Sequence, residues 1–223
     1  MVHDHVDFLR KYTNSDSLDE LLDYLVIRIV PKECELKTVF RGFGAKTYES
    51  RYMALAQEKN VMRFLDEYSN EQCMTIGELE IFRKLDSFRN LYKAYRGHKI
   101  LHLVVDSSAW NNRFRSQTVD IPMAHTLDRI FDARVFGKTH LAFEKSLVYV
   151  PDKAETYYWK GQAGGIEGLN QDTWVVTYIA QIKTALENFP YQHHIFCKGD
   201  DIRISFAIPD NVLEETPMIT ITS

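Results

Sequence analysis

The sequence predicts an α+β fold in which helices pack on a short antiparallel sheet. Apolar residues recur at helical spacing in two long segments, residues 48–66 and 76–95. A compact apolar run that starts at residue 100 ends at Asp106 and is typical of a buried strand. Two further strand-like runs flank a Lys-Gly-Asp-Asp sequence at residues 198–201, which predicts a hairpin with acidic residues at its tip.

The remaining elements follow from similar local signals, in order along the chain. A leucine stripe over residues 18–25 predicts a first helix, with Ser15 or Ser17 near its N-cap, and a short strand at residues 26–30 comes next. A glycine-bearing loop at residues 42–44 precedes the helix that starts near residue 48. Beyond Asp106 we expect a helical region at 118–145, an extended segment at 147–150, a glycine-rich turn at 161–168, a helix to about residue 188, and the hairpin strands at 194–197 and 202–208.

The composition is that of a globular chain, because 45% of the 223 residues are hydrophobic, enough for one sizeable core and a second lobe. An apolar run of about eighteen residues and the pattern of a signal peptide are both missing from the sequence, so we expect a soluble, intracellular protein. The cysteines, Cys34, Cys73 and Cys197, are odd in number and far apart. This spacing excludes a disulfide framework and a C-x-x-C zinc site and favours reduced, structural cysteines.

The charge is unevenly distributed along the chain. A formal net charge of -4 argues against nucleic-acid binding by the whole surface. Residues 83–99, however, carry six basic residues against one acidic residue, and residues 28–51 carry six against three. Each cluster is either a solvated face or part of a phosphate-binding channel, and both interpretations stay open.

Carboxylates stand at the predicted strand ends, Asp106 after one strand and Asp200 with Asp201 at the hairpin tip. If the strands lie side by side, these hard oxygen ligands suit magnesium, and nucleotide polymerisation uses two such ions. Residues 164–168 are rich in glycine, so their backbone can flex and approach a base pair or ribose closely. Each feature alone also fits an ordinary turn or cap, and it is their order that points to polymerisation chemistry.

Four segments of the sequence match the motif pattern of a known family. The string D-x-x-x-W-N-x-x-x-R contains Asp106, Trp110, Asn111 and Arg115; the string G-G-I-E-G-x-x-Q-x-x-W runs from Gly164 to Trp174; Gly199-Asp200-Asp201 follows; and residues 32–37 with 51–55 lie upstream. These segments resemble motifs A, B, C and F, respectively, of the large polymerase protein of non-segmented negative-strand RNA viruses and their insect-virus relatives.

The resemblance covers about residues 30–208 and implies a right-hand polymerase palm with part of the fingers. Residues 1–98 would be a fingers-like segment with motif F, and residues 99–223 the palm with motifs A, B and C. The implied activity is RNA-directed RNA synthesis from nucleoside triphosphates with two Mg²⁺ or Mn²⁺ ions. Asp106 and Asp200 would be the main catalytic metal ligands, with Asp201 assisting. The implied nucleotide- and RNA-binding residues are Lys32, Lys37, Arg51, Trp110, Asn111, Arg115, Gly164, Gly165, Glu167, Gly168 and Gln171.

The resemblance also implies partners and a location. The partners would be an RNA template, nascent RNA, nucleoside triphosphates, the thumb and capping regions of a larger polymerase, a phosphoprotein-like cofactor and the nucleocapsid, with no membrane. The location would be the host cytoplasm and the virion, with the nucleus as the alternative. Because no thumb is evident in the sequence, we expect a fragment of a larger polymerase, a product of a split genome or a remnant of an integrated viral gene.

The sequence departs from the family pattern at three places. Motif C commonly reads Gly-Asp-Asn followed by Gln, whereas here Asp201 is followed by Ile202. Ala109 stands where a lysine is frequent, and the segment between Lys37 and Arg51 is longer than usual. These differences place the chain on a divergent branch and leave the phosphate-binding residues open.

Two other functions remain as alternatives. One is a non-catalytic remnant that binds RNA or a nucleocapsid partner through residues 83–99. The other is a different palm enzyme, such as a reverse transcriptase or a nucleotide cyclase, which would share the paired carboxylates and lack the G-G-I-E-G string.

Overall fold

The computed structural model describes residues 25–31, 42–46, 48–94, 96–140, 143, 145–150, 155–160, 163–168 and 171–215. Two compact units are formed from alternating stretches of the chain. The first, unit 1, contains residues 1–63 and 109–177, and the second, unit 2, contains residues 64–108 and 178–223. The mixture of helices and sheets confirms the predicted α+β class.

The described helices and strands have the following bounds, in chain order. They are β1 Leu25–Pro31, β2 Gly42–Lys46, α1 Tyr48–Tyr68, α2 Glu78–Ala94, β3 His98–Asp106, α3 Trp110–Arg113, α4 Asp120–His125, α5 Leu127–Ile130, a 3-10 turn Phe136–Lys138, β4 Lys145–Val150, β5 Glu155–Lys160, α6 Gln171–Ala185, β6 His193–Lys198, β7 Asp201–Pro209 and α7 Asp210–Glu215. None of the described helices is both long and apolar enough to cross a membrane.

Unit 1 is built on a four-stranded sheet in the order β2-β1-β4-β5. Strands β1 and β4 are parallel, and the other two pairs are antiparallel. Its core surrounds Trp174 of α6, which is completely buried. The Trp174 ring packs against four other rings, those of Trp110, Phe114, His140 and Phe143. This aromatic cluster buries a large apolar area and fixes the start of α6 within the unit.

A buried polar network adjoins the aromatic cluster. The Asp120 carboxylate accepts hydrogen bonds from the His140 backbone N–H at 3.0 Å and from the Thr139 hydroxyl, and the His140 ring Nδ1 lies 3.0 Å away. Trp174 Nε1 donates to the Thr139 hydroxyl oxygen at 3.3 Å. Burial raises the pKa of Asp120, but the hydrogen bonds from His140 and Thr139 outweigh it, so the pKa lies below its ordinary value. The charged carboxylate is therefore the stable form in this core.

Unit 2 contains a three-stranded antiparallel sheet in the order β3-β7-β6. The central strand β7 buries Ile202 and Ile204 on one face and Ser205 and Ala207 on the other, because successive residues of a strand alternate between its faces. Strands β6 and β7 form the predicted hairpin, and β3 lies directly beside it. The strands that carry Asp106, Asp200 and Asp201 therefore lie side by side, as the predicted grouping of these carboxylates requires.

The prediction that residues 100–106 form a buried strand was only half right. The strand exists as β3, but Leu101, Leu103 and Val104 are 41%, 49% and 72% exposed. Within the described residues β3 pairs with β7 alone, so it stands at the edge of the sheet. An apolar run indicates a strand, whereas the covering of its faces depends on which other elements pack there.

The helical region predicted over residues 118–145 was wrong as one continuous element. The structure has α4, α5 and the 3-10 turn. Thr126 separates α4 from α5, and Asp132, with a φ of +47°, lies between α5 and the 3-10 turn. The Asp128 carboxylate accepts hydrogen bonds from the backbone N–H groups of Val135, Phe136 and Gly137. This side chain offers the backbone an alternative to helical hydrogen bonds, which explains the interruption.

The other predicted elements agree with the structure at the level of type. Strands β1 and β4 and helices α1, α2 and α6 are confirmed, with α6 ending at Ala185 rather than near residue 188. The first predicted helix lies outside the described residues. Strands β2 and β5 were missed, β2 because Gly42 and Gly44 favoured a loop. The predicted boundary at residue 98, between the fingers-like segment and the palm, is not tested by the bounds of the helices and strands and stays a prediction.

Candidate active site

The carboxylates of unit 2 lie at one end of its sheet. In the antiparallel register Asp106, the last residue of β3, is directly opposite Asp201, the first residue of β7. Asp201 is also opposite Lys198, so Gly199 and Asp200 form a two-residue turn. Gly199 has a φ of +70°, and Asp200 is not among the residues with positive φ, a combination that fits a type II′ hairpin turn. The chain thus brings carboxylates from residues almost a hundred positions apart to one strand end.

The hairpin that carries the turn is held along the outer side of β6. Cys197 N–H donates to the Glu71 carbonyl at 2.8 Å, and Cys73 N–H donates to the Cys197 carbonyl at 2.7 Å. Glu71 is held in turn by Lys183, whose Nζ lies 2.6 Å from its carboxylate. Because these bonds fix the backbone two residues before the turn, Asp200 stands on an anchored hairpin rather than on a free loop.

Burial dominates the chemistry of the thiol beneath the turn. Burial, which is the largest cause, and the nearby Cys73, Asp200 and Asp201 together raise the pKa of Cys197 to about 12. Cys73 is also buried, and its pKa is raised mainly by burial. Both cysteines are free thiols, in agreement with the predicted structural role.

The donor chemistry at the strand ends fits a divalent cation such as Mg²⁺ or Mn²⁺, because carboxylate oxygens are hard ligands. Asp106, Asp200 and Asp201 are all exposed and accessible to such an ion. Among the residues that the structure describes, no group of three or more His, Cys, Asp or Glu side chains is arranged to hold a metal ion. The backbone therefore gathers the three carboxylates at one edge, while their side chains do not converge on a single point.

The sheet face that bears Asp106 and Asp201 carries both polar and apolar residues, because the exposed Val104 lies opposite Arg203 in the register. Residues alternate between the two faces of a strand, so Arg203, two positions after Asp201, shares this face. His102 of β3 shares it too, with its ring Nδ1 2.8 Å from the Ser205 hydroxyl. Burial, and then the charge of Arg203, lowers the pKa of His102.

The glycines of the G-G-I-E-G string lie in unit 1, where two of them allow contacts that no other residue permits. A Cβ at Gly164 would lie 2.2 Å from the Asn112 carbonyl oxygen, and a Cβ at Gly165 would lie 1.7 Å from the Trp174 ring. Both distances are far below van der Waals contact. The glycines are therefore required by packing against their neighbours, independently of any ligand.

Residues of the D-x-x-x-W-N-x-x-x-R string hold this glycine segment in place. The Asn111 carbonyl accepts from Gly165 N–H at 3.0 Å, and its side-chain oxygen accepts from Gln171 Nε2 at 3.0 Å. Asn112 Nδ2 donates to the Gly165 carbonyl at 3.1 Å, and Arg115 donates to the Asn112 carbonyl. Trp110 is buried in the aromatic cluster. The structure thus gives these residues a positioning role, and their contacts to nucleotide or RNA stay a prediction.

A cleft of about 280 Å³ lies between β2 and α1 in unit 1. Its lining includes Arg51 and Gly168, two residues predicted from the sequence, together with Lys46 and Glu58, which were not. Gly44 N–H donates to the Glu167 carbonyl at 2.9 Å and ties β2 to the glycine segment. Burial lowers the pKa of Lys46, and the Glu58 carboxylate opposes that shift. Lys46 belongs to the basic cluster at residues 28–51, but the number of charges in that segment did not identify Lys46 as a site residue.

The predicted site residues are therefore distributed over both units. Asp106, Asp200 and Asp201 meet in unit 2, whereas the aromatic, amide and glycine residues of the first two strings meet in unit 1 with Arg51. Lys32 and Lys37 lie outside the described residues.

Comparison with known proteins shows which family the chain resembles. The model of the family described as Mononegavirales RNA dependent RNA polymerase matches residues 3–213. The chain is 28% identical over 214 residues to the Large structural protein of Rabies virus (strain PM1503/AVO1), covering 86% of this chain and 10% of that protein. It is also 28% identical over 200 residues to the RNA-directed RNA polymerase L of European bat lyssavirus 1, covering 80% and 9%. The chain spans about a tenth of the length of these relatives.

Proposed function

Because the chain belongs to the Mononegavirales RNA-dependent RNA polymerase family, we propose that it forms the nucleotidyl-transfer core of a viral RNA-directed RNA polymerase. The single observation that carries the proposal is the register of unit 2, which sets Asp106 opposite Asp201 next to a turn that presents Asp200. A family match alone identifies ancestry. The register supports a catalytic role for the chain, because it brings hard metal ligands from two motifs together on rigid strands.

In the proposed reaction the 3′ hydroxyl of a growing RNA attacks the α-phosphate of a ribonucleoside triphosphate, so that a nucleoside monophosphate is added to the RNA and pyrophosphate is released. Two bound divalent ions would activate the 3′ hydroxyl and neutralise charge on the triphosphate. Asp106 and Asp200 are the proposed main ligands, and Asp201 assists. The hairpin holds these carboxylates, and the anchored backbone of β6 keeps Asp200 from moving away as charge accumulates in the site.

The residues of unit 1 bind and orient substrate in this proposal. Asn111 and Gln171 hold the backbone of the glycine segment, and Glu167 and Gly168 at its end face the nucleic acid. Arg51 contacts the triphosphate from the cleft, as do Lys32 and Lys37 of motif F. Residues 1–98 then correspond to part of the fingers and residues 99–223 to the palm. RNA template, nascent RNA and nucleoside triphosphates are the proposed ligands.

The setting of the proposed reaction follows from the family. We expect the chain to act with the thumb and capping regions of a complete polymerase, a phosphoprotein-like cofactor and the nucleocapsid. The host cytoplasm and the virion are the expected locations.

The test is nucleotide incorporation by the chain, alone and within its longer parent polymerase, on an RNA template with Mg²⁺. Asp200→Ala should lower incorporation by at least about 100-fold, the scale of losing a group that stabilises transition-state charge. Asp201→Asn should keep measurable activity, because the family commonly has asparagine at this position. Glu187→Ala removes an exposed carboxylate elsewhere in unit 2 and is the matched control. Incorporation by Asp200→Ala at the level of this control would refute the proposal.

A non-catalytic RNA-binding remnant is the second candidate, favoured by the exposed basic residues Arg83, Arg96 and Lys99. Such a protein would bind RNA with a steep dependence on salt and without any response to nucleotide or metal. A large rise in melting temperature on adding triphosphate and Mg²⁺ would contradict it.

A further inference from the structure

The chain leaves the end of β3 through a short turn. Asp106 is the last residue of β3 and pairs with Asp201, whereas Ser107 and Ser108 continue beyond the paired residues. Ala109 then adopts a left-handed conformation, with a φ of 52° and a ψ of 38°, before α3 begins. Because strand pairing ends at Asp106, the orientation of its carboxylate depends on what holds the residues that follow it.

The hydroxyl of Ser107 is held by a residue of α6. Its Oγ lies 2.5 Å from the phenolic oxygen of Tyr178, at the short end of the range for hydrogen bonds between hydroxyl groups. Both residues are half-buried, and both belong to unit 2. A tyrosine side chain has only two torsions, so its hydroxyl is a well-defined anchor for the turn.

Tyr178 lies on the side of α6 that also contacts the rest of this segment. Four positions earlier, Trp174 packs against Trp110. Seven positions earlier, Gln171 donates a hydrogen bond to Asn111. Both of these contacts lie within unit 1. Residues at these spacings share one side of a helix, and of the three contacts that of Tyr178 is the closest in sequence to the end of β3.

We propose that Tyr178 is a positioning residue for Asp106, whose hydrogen bond to Ser107 orients the Asp106 carboxylate and so sets the affinity of the chain for a divalent cation. The inference rests on the proposed function and adds to it two residues to which the family resemblance gives no role. Successive residues of an extended chain point to opposite faces, so a bond from Ser107 can hold the strand end without covering the exposed Asp106 carboxylate. Residues that orient a metal ligand commonly change metal affinity by about 10- to 100-fold.

The test measures Mn²⁺ binding to the complete 223-residue chain, without nucleotide or RNA, from the electron paramagnetic resonance signal of the free ion. Asp106→Ala shows how much of the binding involves this carboxylate. Tyr178→Phe keeps the ring and removes the hydroxyl, and it should weaken the Asp106-dependent binding by about tenfold, the lower end of the effect of such residues. Ser107→Ala removes the same bond from the other side and should weaken binding by the same factor.

Three further variants separate positioning from a general loss of stability. Tyr178→Phe combined with Ser107→Ala should weaken binding by about tenfold, rather than the roughly hundredfold expected of independent effects, because both remove one bond. Ser107→Thr retains a hydroxyl and should bind Mn²⁺ within about twofold of the parent chain. Tyr191→Phe removes the hydroxyl of another half-buried tyrosine of unit 2, whose ring packs against Phe189, and should also stay within about twofold.

Melting temperatures of the same variants identify a purely structural role. A lower melting temperature of Tyr178→Phe, together with the Mn²⁺ affinity of Tyr191→Phe, would overturn the inference. Mn²⁺ binding by the parent chain that Asp106→Ala leaves unchanged would overturn it as well.

The outcome is separable from that of the polymerase proposal. In the incorporation assay Tyr178→Phe should raise the Mn²⁺ concentration for half-maximal activity by about tenfold. Mn²⁺ binding that depends on Tyr178, together with no incorporation under any condition, would leave the positioning role in place and remove the polymerase activity. Incorporation that depends on Asp200 and has the same Mn²⁺ requirement in Tyr178→Phe as in Tyr191→Phe would do the reverse.

Discussion

A side chain at position 165 should destabilise the fold. The substitution Gly165→Ala therefore tests why the second residue of the G-G-I-E-G string is glycine. The added Cβ would lie 1.7 Å from one carbon of the Trp174 ring and 2.6 Å from two others. The φ of Gly165 is outside the left-handed region, so the penalty comes from the missing space and not from backbone strain. Either Trp174 or the loop must move to restore normal contact.

The cost follows from how firmly Trp174 is held. The ring is completely buried, packs on other aromatic rings, and donates a hydrogen bond to Thr139. The loop is also held, because Gly165 N–H donates to Asn111 and its carbonyl accepts from Asn112. Overpacking of a rigid core costs about 1–3 kcal/mol, and we expect a value of about 3 kcal/mol here. For a chain of this size that corresponds to a fall in melting temperature of about 6–12 °C.

Urea and thermal unfolding of the purified chain measure this change. Gly77→Ala is the matched control, because a Cβ there meets nothing within 4 Å, and its effect should stay within about 0.5 kcal/mol. Trp174→Leu in the Gly165→Ala background should cost less than the sum of the two single changes, since the smaller side chain relieves the clash. Equal stabilities of Gly165→Ala and Gly77→Ala would refute the packing argument.

Three further predictions concern titratable groups. Asp120→Asn should lower the free energy of unfolding at pH 7 by about 2 kcal/mol, because a buried acceptor of three groups loses its charge. Because the pKa of Asp120 is lowered, its contribution to stability is present above the ordinary value of 3.8 and is lost as the pH falls through the folded-state pKa. The parent chain should therefore lose more stability on acidification than Asp120→Asn in urea titrations. The pKa of Asp172 is raised to about 6 by burial and then by Glu58, so its contribution is present below 3.8 and is lost as the pH rises through about 6. Asp172→Asn should therefore flatten the pH dependence between 4 and 7 and stabilise the chain at pH 7 by about 1 kcal/mol, a value reduced for partial solvation; an unchanged profile would contradict this. The buried Cys197 thiol, with a pKa of about 12, should resist iodoacetamide at pH 8 until urea unfolds the chain, and mass spectrometry of its peptide detects early modification if that expectation is wrong.

Local sequence was enough to locate the hairpin and its acidic turn. The period-two apolar pattern and a glycine before two aspartates act within a few residues, and the structure has β6, the turn and β7 where those signals placed them. The same holds for α1 and for the strand that ends at Asp106. The family resemblance was also present in the sequence alone, as strings of fixed spacing, and the family match confirms it.

The tertiary structure decided everything that depends on residues far apart in the chain. It set Asp106 opposite Asp201, left β3, among the described strands, at the edge of its sheet with exposed apolar residues, and placed Lys46 and Glu58 in one cleft. It also explains why residue 165 is glycine, because the Trp174 ring occupies the space that a side chain would need. The spacing of residues along the sequence does not reveal this contact. Periodicity and turn chemistry report the conformation of neighbouring residues, whereas register, burial and the partner of a charge depend on which distant segments the folded chain brings into contact.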